Sequence, residues 1–125
     1  MDRSKFNKLI RNLRSDIDTL AGMSVRKYKR KAARDAKKML TKMKKDLKRW
    51  ADLLDEGRLT TSDFEFLVAS QASSIKMSAL ERAGLAEIRV DHFRKSIINL
   101  IIDTVFDFIL PRIPDVDEED SDTPE

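Results

Sequence analysis

The chain has 125 residues, 41% of them hydrophobic and 38% charged, with a formal net charge of +3. That length and apolar fraction suit one domain with a single modest core, while three Gly, three Pro and an aromatic fraction of 6% point to long helices rather than strands. The absence of Cys excludes disulfides, thiolate metal sites and a cysteine nucleophile.

The net charge conceals an asymmetry. Beyond Leu110 the chain carries seven acids and one Arg, so residues 1–110 form a strongly basic body followed by an acidic tail. The opening stretch, MDRSKFNKLIRNLRSD, has charges every few residues and no apolar run, so no secretory leader is expected and a cytoplasmic location is the expectation.

Gly22, Gly57 and Gly84 each follow an apolar-periodic stretch, which predicts four helical segments at about 3–21, 25–56, 61–83 and 85–110. In the first, Phe6, Leu9, Leu13, Ile17 and Leu20 make one apolar stripe, flanked by Lys5, Lys8, Arg11 and Arg14.

The second segment holds the strongest pattern in the sequence. Ser24 is its expected N-cap, with Met23 and Tyr28 placed as a hydrophobic staple. Its apolar positions, Val25, Tyr28, Ala32, Ala36, Met39, Met43, Leu47, Trp50 and Leu54, repeat in phase every eleven residues, about 3.67 per turn. Such a helix keeps one seam inward over its whole length. Between Arg26 and Arg49 stand thirteen Lys or Arg against only Asp35 and Asp46. At about 100° per residue, all of these cations but Lys29 fall away from the seam.

The third segment opens with LTTSDFE, in which Thr60 is the expected N-cap, Asp63 occupies the capping-box position, and Leu59 and Phe64 can staple. Its stripe is Phe64, Leu67, Val68, Gln71, Ile75, Ala79 and Ala83. The short link from Leu54 to Leu59 predicts an antiparallel hairpin of the second and third helices. At Gly84, Leu80 and Leu85 stand where a Schellman turn places its apolar contact, which favours a break, although nothing between Gly84 and Arg89 is a good N-cap; one helix from about 61 to 110 is the alternative.

The fourth segment becomes apolar on most faces after Ser96, which suggests burial on nearly all sides, either centrally or between copies. Its longest apolar run, 97–110, is too short for a bilayer and contains Asn99, Asp103 and Asp107. The last stretch, 111–125, combines Pro and acids and is expected to be disordered. It could fold back on the basic helix as a competitor or serve only solubility.

The fold class expected is therefore all-α: residues 1–110 form a single compact four-helix bundle with an antiparallel central helical hairpin. The function expected is a non-enzymatic binding or scaffolding module that holds a polyanion, nucleic acid above others and without sequence preference, on the basic face of the second helix. The residues assigned to that face are Arg26, Lys27, Arg30, Lys31, Arg34, Lys37, Lys38, Lys42, Lys45, Lys48 and Arg49. Homo-oligomerisation is expected through Ile97, Ile98, Ile101, Val105 and Phe108. The alternative is a structural oligomer or protein adaptor whose basic face meets an acidic protein or an anionic membrane surface.

Catalysis finds no foothold in the sequence. There is no glycine-rich phosphate loop and no nucleophile elbow. Arg89, His92, Ser96, Asn99, Asp103 and Asp107 share one stripe, but His92 lies about 16 Å along the axis from Asp103, so a solvent-facing or subunit-facing polar stripe is the simpler reading than a metal site. No cofactor, metal or small-molecule substrate is expected.

Overall fold

The structure, a computed structural model, describes residues 1–110. The expected disorder of the acidic tail lies outside the described residues. Four helices of thirteen residues or more form the bundle: α1 (Arg3–Ser24), α2 (Lys29–Asp55), α3 (Thr61–Ser73) and, after the five-residue α4 (Ser78–Arg82), α5 (Glu87–Ile109). No strand occurs among the described residues.

Each long helix runs antiparallel to the one before it. Asp18 on α1 meets Lys37 on α2 while Met1 meets Asp52. Gln71 on α3 meets Asp46, while α4 meets Asp35, nearer the start of α2. Arg94 near the start of α5 reaches the end of α3, and Phe106 near its end packs on Phe64 at the start of α3, ring centroids 5.7 Å apart. α5 also packs along α1, which closes the ring of neighbours α1–α2–α3–α5 and leaves α2 and α5 in contact across the diagonal. This is up-down-up-down bundle topology. The expected antiparallel hairpin of α2 and α3 is present within it, and α2 touches every other helix.

Local chemistry accounts for most helix ends. Asp2 caps α1, accepting a hydrogen bond from the Lys5 amide at 2.7 Å. α1 then passes through Gly22, beyond the predicted stop, and ends only where Val25 leaves helical geometry at φ −139°, ψ 56°. Ser24 is consequently the last residue of α1 and not the cap of α2, and Met23, the expected staple, is 79% exposed. A single 3-10 turn, Arg26–Tyr28, leads into α2, which starts without a side-chain cap.

At the end of α2, Gly57 (φ 74°) makes a Schellman turn: the Arg58 amide donates to the Leu53 carbonyl at 2.8 Å and the Gly57 amide to Leu54 at 3.1 Å. The same pair of bonds recurs at Gly84 (φ 89°), where the Leu85 amide donates to Leu80 and the Gly84 amide to Glu81. The break at Gly84 is thus real, and Leu80 and Leu85 are both buried beside it. Thr60 caps α3 as its sequence signature predicts, accepting from the Asp63 amide at 3.0 Å.

The predicted 61–83 helix is interrupted earlier, between Ser73 and Ser78. Two remote side chains hold that interruption. Arg94 of α5 donates to the carbonyls of Ala72 and Ile75, and the buried Asp35 of α2 accepts from the amides of Ala79 (3.1 Å) and Leu80 (2.8 Å). A cation at a helix C-terminus and a carboxylate at an N-terminus each satisfy orphan backbone groups and match the local helix dipole.

The eleven-residue phase of α2 is its inner seam. Val25, Ala32, Ala36, Met39, Met43, Leu47, Trp50 and Leu54 are buried and Tyr28 is half-buried. Ala33, Leu40 and Ala51 are buried as well, about 60–80° to one side, because the helix is flanked by neighbours and not merely seated on one.

On α5, four of the five residues expected at an oligomer contact are covered within the chain itself. Ile97, Ile98, Ile101 and Val105 lie in the core of a single chain, and Phe108 is half-buried. The helix is apolar over a wide arc because α1 and α3 cover its two sides and α2 faces it across the bundle. Intramolecular packing accounts for this breadth without a second copy.

Candidate nucleic-acid interface

α2 is 27 residues long, roughly 40 Å, and the core fixes which way each side of it points. Arg26, Lys27, Arg30, Lys31, Arg34, Lys38, Lys42, Lys45 and Arg49 are exposed, while Lys37 and Lys48 are half-buried. All eleven therefore reach the surface along one side of the bundle. Lys29, which the seam argument sets aside, and Lys44, which is not among the assigned residues, are exposed on the same helix.

Three of the thirteen cations make ion pairs among the described residues. Lys37 meets Asp18 at 2.8 Å, Lys48 meets Asp52 at 2.6 Å, and Arg49 meets Asp46 at 3.1 Å. The other ten make none among the described residues. Of the two acids inside the cationic stretch, Asp35 serves the opposite flank of the helix alone, and Asp46 is shared between that flank and Arg49. Asp35 is 5% exposed and caps α4; Asp46 accepts from the Gln71 side chain at 3.0 Å. They are eleven residues apart, one period of the α2 repeat, and so occupy the same line facing α3 and α4.

The other flank of α2 borders α1, and there the cations become a furrow. One segment, about 420 Å³, is lined by Arg3, Phe6 and Asn7 of α1 and by Thr41, Lys44, Lys45 and Lys48 of α2. The next, about 310 Å³, is lined by Asp18, Lys29, Arg30, Ala33, Arg34 and Lys37. Arg3, Asn7 and Asp18 recur at helical spacing, and Arg14 falls on the same stripe of α1. The contribution of Arg3 and Asn7 is invisible to a reading of α2 alone, since it depends on the register in which α1 packs.

At one end the furrow is fixed by a small charged cluster. The Met1 ammonium lies 3.1 Å from Asp52 and 3.2 Å from Asp55. Hydrogen bonding, first to Asp52 and then to Asp55, raises the ammonium above its ordinary value of 8.0 against a smaller opposing effect of burial. Burial of Asp52 acts to raise its carboxyl, but the hydrogen bonds from Lys48 and the Met1 ammonium outweigh it and hold the group below 3.8.

The polar stripe of α5 faces solvent. Arg89, His92, Asn99, Asp103 and Asp107 are exposed, and no group of His, Asp or Glu among the described residues could hold a metal ion. No helix among them is long and apolar enough to cross a membrane. In comparisons with known proteins, no family model, no curated protein and no solved structure matches the chain.

Proposed function

We propose that the protein is a non-enzymatic helical module that holds a polyanion, nucleic acid in particular, along the cationic side of α2 without reading its sequence. One observation carries this reading. Ten cations of the stretch from Arg26 to Arg49, eight on α2 and two in the turn before it, face solvent with no ion pair among the described residues, while Asp35 and Asp46 bond toward α4 and α3.

An ordinary exposed helix mixes both signs, so that i,i+3 and i,i+4 pairs offset its charge. Here the repulsion among neighbouring cations is accepted by the fold, and a phosphate backbone relieves it as the Lys and Arg displace the counterions condensed on the nucleic acid. The regular spacing of the cations along the helix axis suits contact with successive phosphates, which positions a nucleic acid but carries no base information.

Fluorescence anisotropy with a labelled oligonucleotide across a salt series tests the reading. The expected result is a logarithmic affinity that falls linearly with logarithmic salt, at about −0.9 for each phosphate neutralised on a duplex. A slope of zero, or no binding at low salt, would overturn it.

A further inference from the structure

We infer that the furrow between α1 and α2 selects double-helical nucleic acid over single strands and holds it through phosphates alone; the inference rests on the polyanion reading above. The two furrow segments follow one another along α2, with Arg3, Lys44 and Lys45 at one and Arg30 and Arg34 at the other. Lys45 and Arg30 are roughly 22 Å apart along the helix axis. Core packing on the seam anchors the helix that carries this ladder, so its backbone does not reshape to follow a flexible ligand.

The ladder offers nothing for bases to stack on. Trp50 is 8% exposed and Tyr28 half-buried on the seam, and Phe6, at the floor of the furrow, is 4% exposed. Proteins that hold single strands rely on exposed aromatic rings to offset the ordering of a flexible chain. A duplex requires no such compensation. It is already straight over this length, and it presents one charge per 1.7 Å of axis, about twice the density of one strand.

The flanks of α2 also decide how a duplex would be met. α1 lies on one side and α3 with α4 on the other, so the outer, cationic face of α2 is what a duplex would meet. Its cations meet the phosphate ridge, which leaves duplex geometry recognised and base sequence unread.

The test compares a labelled duplex of about 20 base pairs, roughly 70 Å long, with each of its separated strands at equal phosphate concentration. Phosphatidylcholine vesicles containing phosphatidylserine serve as a further arm. The full chain is used throughout, in salt from about 50 to 200 mM. The duplex is expected to bind about tenfold tighter than either strand, with vesicles weaker than both.

Two variants of equal charge then locate the site. Arg3→Gln/Lys44→Gln/Lys45→Gln removes three furrow cations, and Lys5→Gln/Lys8→Gln/Lys95→Gln removes three exposed cations elsewhere. The first should flatten the duplex salt slope by about 2 to 3 and the second by less than about 1. Equal effects of the two variants, or strands binding as tightly as duplex, overturn this inference while leaving the polyanion reading in place. Vesicle binding without nucleic-acid binding overturns the inference and the nucleic-acid reading together, and no salt-dependent binding in any arm overturns every polyanion reading. The comparison of duplex with strands uses the unaltered protein, so it decides the matter even if a variant loses helicity by circular dichroism.

Discussion

α2 presents two flanks of opposite character, and they divide the work of the chain. Toward α3 and α4 it directs two of its four acids, Asp35 and Asp46, to a backbone cap and a side-chain contact. Toward α1 it offers cations along an open furrow, relieved by Lys37–Asp18 in the middle and Lys48–Asp52 at one end. One helix can therefore be structural on one side and available on the other. Sequence charge alone does not reveal this division, since what matters is the line on which each charge falls.

The widest separation between the two flanks should come from charge reversal. Replacing Lys27, Arg34, Lys38 and Lys45, all exposed, by Glu should weaken oligonucleotide binding by roughly a hundredfold or more at moderate salt. Helicity and denaturation midpoint should change little, because none of the four touches the core. Loss of folding in this variant would show that the cationic face is misplaced; unchanged binding would show that it is idle.

The reverse experiment acts on the other flank. Asp35→Ala leaves the Ala79 and Leu80 amides without their acceptor in a buried setting, so a loss of about 2–3 kcal/mol is expected in urea denaturation. Oligonucleotide affinity at a temperature where the variant is folded should hold. Asp35→Asn, which keeps one acceptor oxygen, should recover part of the stability. If both variants are as stable as the parent, the cap on α4 contributes nothing. Arg94→Met, which keeps the aliphatic stem but removes the donors to Ala72 and Ile75, should cost about 1–2 kcal/mol by the same measurement.

These two clamps also mark where the sequence stops being legible. The all-α class, the α2 seam, the Thr60 cap and the Gly84 break follow from local spacing and residue type, and the structure contains each of them. The break after Ser73 does not, because its determinants, Asp35 and Arg94, stand 38 residues before it and 21 after it. The covering of α5 within the chain is illegible for a related reason. A broad apolar arc looks the same in sequence whether α1 and α3 or a second copy covers it. At the furrow, the eleven cations assigned to α2 are legible from phase, whereas Arg3 and Asn7 enter only through the packing of a second helix.

A smaller effect distinguishes the second acid of that flank. Asp46 accepts from Gln71 and pairs with the exposed Arg49, while the Gln71 carboxamide oxygen is buried with no hydrogen-bond partner among the described residues. Asp46→Ala is therefore expected to cost only about 0.5–1 kcal/mol, well below Asp35→Ala. A larger loss would make Asp46 the principal anchor of α3 and reverse the ranking of the two acids.

The smallest effect concerns the cluster that closes the furrow. Because Asp52 is held below its ordinary 3.8, the folded form binds a proton there less readily than the unfolded chain. Its contribution to stability is thus present above pH 3.8 and is lost as pH falls through the lower folded value. The Met1 ammonium has the opposite sense: raised above 8.0, it contributes fully below that pH and ceases to contribute as pH rises through its folded value. Between those limits the Met1–Asp52–Lys48 cluster should be insensitive to pH. Subtracting the urea midpoints of Asp52→Asn from those of the parent should give a difference that is flat near neutrality and shrinks at both ends. A difference that grew toward acid would mean that the burial of Asp52 outweighs its two hydrogen bonds, and that the charged cluster opposes the packing of α1 on α2 instead of supporting it.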